Sequence, residues 1–227
     1  MNSPPIQIDL EEITSSIHQA ALSPFLNEED LNQICEVSTY FQFDGLCTNL
    51  VRLPQARKAL KPIDSIKLIA VIAFPFGDIP THLKIEEAEW AVSQGANALE
   101  IVPNYFALTQ GKIDVFAEEI AQLCEIGVET TAILNITNCS KEMIKSAVEA
   151  SIEAGVHSIQ SGNGFGPPVE SSQIQLLSQL TRNRCSIKAV GGIKNLNHAI
   201  ELINAGATYI GTSFGKEIME EYKRKSK

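Results

Sequence analysis

Short apolar runs alternate with longer amphipathic ones along almost the whole chain. The apolar runs at 45–49, 67–74, 98–103, 130–135, 158–160, 186–190 and 209–211 are brief and rich in isoleucine and valine. Strands buried on both faces have this character, because neither face needs polar side chains. Between them lie patterns of helical period. One at 85–92 runs towards Gly95, one at 142–152 towards Gly155, and one at 198–205 stops at Gly206. Glycine at such places takes the left-handed conformation that ends a helix before the next strand. Strand-then-helix alternation predicts a parallel sheet with right-handed crossovers. The segment 15–20 supplies an eighth strand. Eight strands favour a closed (β/α)8 TIM barrel over an open doubly wound sheet.

No linker, low-complexity tract or block of charge divides the 227 residues, so one barrel domain spanning 1–227 is expected. The net charge of −9 argues against a nucleic-acid partner, which needs a basic face. The basic tail, Lys223-Arg-Lys-Ser-Lys227, is expected to be a frayed, solvated terminus. Five cysteines, odd in number and with no C-x-x-C pair, suggest neither a zinc site nor a disulfide framework. The four histidines, His18, His82, His157 and His198, show no metal-ligand spacing, so neither a metal nor a cofactor is expected. The first residues lack a signal-peptide core, and no run of about 20 apolar residues could span a bilayer. The expectation is a protein of the reducing cytoplasm with no membrane partner.

In a barrel, the C-terminal strand ends face one shared pocket. Here those ends are polar: Asn49, Asn104, Asn135, Gln160, Lys188 and Ser213. A single Asn after a strand is an ordinary turn former. Six polar ends around one ring point to a pocket that hydrogen-bonds a hydroxylated ligand. Glu100 and Lys188 interrupt otherwise apolar strands, and such groups stay buried only when paired. They either close the interior as an ion pair or face a ligand as acid/base and amine, and both readings hold together. The turns Gly162-Asn-Gly164, Gly191-Gly192 and Gly211-Thr-Ser213 offer clustered backbone N–H groups after consecutive strands. Gly164, Gly191, Gly192, Thr212 and Ser213 are therefore candidates for binding phosphate, with plain turn formation as the alternative. Cys47 ends a strand with nothing beside it to activate a thiol, and Trp90 lies in a helical pattern that predicts packing.

Several of these segments together resemble deoxyribose-phosphate aldolase. They are Phe43-Asp-Gly-Leu-Cys-Thr-Asn49, Val71-Ile-Ala-Phe-Pro-Phe-Gly77, Gly95-Ala-Asn-Ala-Leu-Glu-Ile-Val102, Gly162-Asn-Gly-Phe165, Lys188-Ala-Val-Gly-Gly-Ile193 and Ile210-Gly-Thr-Ser213. The resemblance runs over nearly the whole length. It implies a class I aldolase-like barrel that binds a sugar phosphate through its last loops and is a possible homo-oligomer. In that family a lysine attacks the substrate carbonyl, and the imine serves as an electron sink for cleavage. The reaction yields acetaldehyde and glyceraldehyde 3-phosphate from 2-deoxyribose 5-phosphate. A second lysine, matching Lys188, lowers the nucleophile's pKa, and an aspartate matching Glu100 moves protons.

This chain departs from the family pattern where the chemistry happens. Gln160 stands at the nucleophile's position, Glu100 replaces the aspartate, and His18 takes the place of an early aspartate. Thr131 and Asn135 stand where the family usually carries lysine and glutamate. His18, Cys47, Asn49, Asn104, Thr131 and Asn135 are thus expected to line the pocket beside Lys188, Glu100 and Gln160. The implied function is an aldolase-like protein that binds a sugar phosphate with the family's reaction lost or much weakened. Two alternatives stay open: an active carbon–carbon lyase with Lys188 as amine and Glu100 as acid/base, and a non-catalytic regulatory protein that binds a phosphosugar.

Overall fold

A computed structural model describes residues 8–60 and 65–225. Eight parallel strands close into a barrel in chain order. They are β1 (Ile17–Ala21), β2 (Gly45–Thr48), β3 (Lys67–Ile72), β4 (Ala98–Ile101), β5 (Glu129–Ile133), β6 (Ser158–Gln160), β7 (Ser186–Val190) and β8 (Tyr209–Thr212). Helices connect them around the outside. The predicted strands at 158–160 and 186–190 match β6 and β7 residue for residue.

Elsewhere the boundaries move for local reasons. β1 starts two residues later than predicted because Ser15 and Ser16 complete a helix, Leu10–Ser16, capped by the Asp9 side chain on Glu12 N–H. β3 stops at Ile72 because Ala73 turns left-handed, with φ of 54°. β5 ends two residues early, at Ile133, ahead of Asn135 with φ of 48°. β4 ends at Ile101, shortly before Pro103, which has no N–H to give to the ladder. Gly95, Gly155 and Gly206 follow their helices with positive φ, as expected.

The pleat sorts side chains to two sides of the wall. Leu99, Ile101, Ile159, Ile187 and Ala189 face outward into the main apolar layer beneath the helices. Their sequence neighbours face inward. Some of these form a small apolar cluster, Cys47, Ile69, Val71 and Ala98. Others are His18, Glu100, Gln160 and Lys188, all buried. Lys188 and Glu100 sit within apolar stretches of sequence because alternate positions of a barrel strand meet different environments.

The outer layer holds a second buried charge pair. Lys84, in the helix Thr81–Ser93, places its Nζ 2.7 Å from Glu119 Oε1 in the helix Ile113–Cys124. It also donates to the Val102 carbonyl at 2.9 Å, while Thr81 donates to the other carboxylate oxygen of Glu119. Two helices and the loop after β4 are thereby locked together. The basic tail is more ordered than expected. The helix Gly215–Lys225 carries Lys223 over the rings of Tyr40 and Phe41, and Lys225 pairs with Glu221 at 2.8 Å. Residues 226 and 227 lie outside the described residues. Trp90, expected to pack, is 42% exposed on its helix. Among the described residues, no helix is long and apolar enough to cross a membrane.

Removing one partner of a buried pair leaves the other charge uncompensated. Glu119→Ala should therefore lower unfolding free energy by about 3–5 kcal/mol, and the double variant Lys84→Met/Glu119→Leu should lose clearly less. Urea titration of both variants checks this.

Candidate active site

The C-terminal end of the barrel opens into a cavity of about 480 Å³. His18, Cys47, Glu100, Gln160 and Lys188 form its polar floor, and Gly164, Gly191, Gly192, Thr212 and Ser213 lie on its wall. Residues from six strands or the loops after them thus converge on one space. Four expected pocket residues do not. Asn49 begins the 3-10 turn Leu50–Arg52. Asn104 caps the helix Tyr105–Thr109 through Ala107 N–H. Asn135 turns left-handed and borders a separate hollow of about 60 Å³. Thr131 faces its strand neighbour instead, with its hydroxyl 2.5 Å from that of Ser158. For Asn104 and Thr131 a local partner, close in sequence or in the adjacent strand, claims the side chain before the cavity does.

The floor is organised by charge. Lys188 Nζ donates to Glu100 Oε1 in a short contact, and Cys47 Sγ donates to Glu100 Oε2 at 3.3 Å. Burial pushes the Glu100 carboxyl up, but the Lys188 ammonium beside it prevails and holds it below the usual range. Burial, reinforced by Glu100, pushes the Cys47 thiol well above its ordinary value. Cys47 is therefore a hydrogen-bond donor here and no nucleophile.

His18 is held neutral. Burial, aided by the Lys188 charge, lowers its pKa to about 4. Its Nε2 lies 2.7 Å from Asp44 Oδ2, so the neutral ring carries its proton there and turns Nδ1, unprotonated, towards the floor. That Nδ1 lies 4.0 Å from Glu100 Oε1 and has no hydrogen-bond partner. The ring stacks on Tyr209, with centroids 4.4 Å apart. Gln160 donates its amide to the Gly162 carbonyl at 2.6 Å and leaves its own carbonyl oxygen unpaired.

Close packing fixes Lys188 in place. A Cβ on Gly211 would come within 2.7 Å of Lys188 Cε and 2.6 Å of Val190 Cγ2. Only glycine leaves room for the lysine stem to cross β8. At the rim, the backbone N–H groups of Gly191, Gly192 and Ser213 have no protein acceptor among the described residues. The Thr212 hydroxyl is already committed, donating to the Ile193 carbonyl and accepting from Phe214 N–H. It shapes the turn and offers a ligand little.

Several wall residues were not foreseen. Lys194, exposed beside Gly191-Gly192, adds a cation at the rim, with its Nζ 5.5 Å from the centroid of the Phe214 ring. Its place two residues after a glycine pair in a βα loop was a usable signal. Asp44 and Gln19 carried none. Gln19 closes the loop after β8 by accepting from Gly215 N–H and donating to the Ser213 carbonyl, a span of nearly the whole chain. Phe25, Phe74, Phe165 and Phe214 give the mouth an aromatic edge. Among the described residues, no cluster of three or more His, Cys, Asp or Glu is placed to hold a metal ion.

The lysine–carboxylate pair lies on the inner floor, beneath glycine turns at the strand ends. Solved structures share the barrel. An aldolase designated QR15 superimposes with a TM-score of 0.89 at 32% identity, covering 95% of this chain and 97% of its own. A tetrameric deoxyribose phosphate aldolase from Aeropyrum pernix does so with a TM-score of 0.87 at 25% identity, covering 95% and 92%. Among curated relatives, the deoxyribose-phosphate aldolase of Thermosynechococcus vestitus is 34% identical over 93% of this chain and 98% of its own length. That of Aquifex aeolicus is 35% identical over 93% and 96%. The chain belongs to the deoxyribose-phosphate aldolase family. No protein-family model matches it.

The neutral, buried His18 makes stability depend on pH. The unfolded chain takes up a proton on this residue near pH 6.5, whereas the folded protein resists it down to about 4. The stabilisation is whole above 6.5 and is lost as pH falls towards 4. Unfolding free energy should drop by about 3 kcal/mol across that window. His18→Gln should flatten this part of the profile, as measured by urea unfolding at half-unit pH steps.

Proposed function

We propose that this protein, as one barrel domain, binds a sugar phosphate in the mouth of its barrel, and that imine-forming cleavage of 2-deoxyribose 5-phosphate is lost or much weakened. Gln160 carries this reading. An amide nitrogen shares its lone pair with its carbonyl and forms no imine, and this one is hydrogen-bonded to Gly162 as well. Lys188 does not replace it, because its ammonium is held against Glu100, and a paired ammonium has no lone pair with which to attack. Its partner in the β6–β7 register is Gln160, an uncharged amide.

The rim supports phosphate recognition. The free N–H groups of the Gly191-Gly192 and Ser213 turns, the start of the helix Gly215–Lys225 and the Lys194 cation all favour an anion there. The tetrameric relative supports reading the protein as a homo-oligomer. One observation favours the second reading, an active carbon–carbon lyase. Lys188 is one strand removed from the family's nucleophile, on the same cavity floor, with Glu100 in place as acid/base.

Intact mass after incubation with 2-deoxyribose 5-phosphate and borohydride separates the two. The expected result is no adduct. At about a hundred times its Kd the sugar phosphate should still raise Tm by roughly 5–10 °C, and Gln160→Lys should yield a trappable adduct. An adduct mapped to Lys188 and absent from Lys188→Ala would establish the lyase instead. Neither adduct nor stabilisation by any sugar phosphate would end both readings.

A further inference from the structure

Two hydrogen-bond acceptors on the cavity floor have no donor among the described residues. One is Nδ1 of His18. Asp44 is a carboxylate and takes the Nε2 proton, so the inward nitrogen presents a lone pair. The other is the side-chain oxygen of Gln160. The Gly162 carbonyl can only accept, which fixes the amide nitrogen towards it and leaves the oxygen over. The two residues are only 6% and 2% exposed, and both line the cavity. A buried acceptor left unpaired loses its hydration without compensation. Two of them facing one space mark a place where a ligand supplies the donors.

We infer that the ligand is a sugar phosphate that carries a hydroxyl group at C2 as well as C3, in contrast to a 2-deoxy sugar. The inference rests on the sugar-phosphate reading and narrows it. With the phosphate at the Gly192–Ser213 rim, the carbonyl end of the sugar reaches the floor. Its carbonyl oxygen can only accept and is matched by the remaining N–H groups of Lys188. His18 and Gln160 are acceptors and must be served by hydroxyl groups on the first two carbons after that carbonyl. A sugar with hydroxyls at C2 and C3 serves both, whereas a 2-deoxy sugar brings a methylene to one of them. Sites that hydrogen-bond a hydroxyl reject the analogue lacking it far more strongly than apolar pockets reject an extra one. Exchanging lysine for glutamine at position 160 puts an accepting oxygen on the floor, where an ammonium could only donate.

Ribose 5-phosphate and 2-deoxyribose 5-phosphate differ in this one hydroxyl. Their affinities for the full chain, measured by isothermal titration with inorganic phosphate as control, test the idea. Ribose 5-phosphate should bind at least about tenfold more tightly. Gln160→Met or His18→Phe, each of which removes one acceptor, should bring the ratio to within about twofold in at least one case. Equal affinities, tighter binding of the deoxy sugar, or a ratio unchanged in both folded variants would overturn the inference while leaving a sugar-phosphate site in place. If neither sugar phosphate binds more tightly than inorganic phosphate, the sugar-phosphate reading itself fails.

Discussion

A lysine ammonium inside a barrel persists only beside its counter-charge, and the Lys188–Glu100 pair sets the terms for everything around it. Glu100 must remain ionised, which it does below its usual range because Lys188 is there. A second carboxylate oxygen then needs a donor, and Cys47 supplies one at the cost of its own acidity. The Lys188 charge adds to burial in keeping His18 neutral, and Asp44 decides which ring nitrogen holds the proton. The lysine stem needs space across β8, so position 211 must lack a side chain. A fixed ion pair in a low-dielectric interior thus dictates protonation state, tautomer and even backbone composition at neighbouring strands.

The barrel was legible in the sequence because its signal is repeated. Each strand is an apolar run between helical patterns, and seven of the eight stand out by composition alone. Strand ends were less legible, since they depend on single backbone conformations. Ala73 and Asn135 leave the extended region without any change in local hydrophobicity. The candidate site divides along the same line. Glu100 and Lys188 could be found because a charge within an apolar strand is conspicuous, and the rim glycines because they follow consecutive strands. Asn49, Asn104 and Asn135 were misassigned because being polar at a strand end says nothing of direction. Asn104 caps a helix three residues on. Asp44 and Gln19 stayed hidden because their partners are 26 and 196 residues distant, and no window of sequence contains both halves of such an interaction.

The exchange at position 160 does more than delete a nucleophile. With glutamine there, the charges on the floor are one ammonium, one carboxylate, a neutral imidazole and a neutral thiol, which sum to zero. A second lysine at that place would leave the floor net positive. Like-charge repulsion in a dry cavity is what drives one of two amines to give up its proton. Here only one amine lies on the floor, and it is paired with Glu100. On the proposed reading, a single residue withdraws the group that would attack and puts in its place an amide already hydrogen-bonded to Gly162. What remains is a floor rich in acceptors under a rim rich in donors, a polarity that suits holding a hydroxylated phosphate ester more than breaking it.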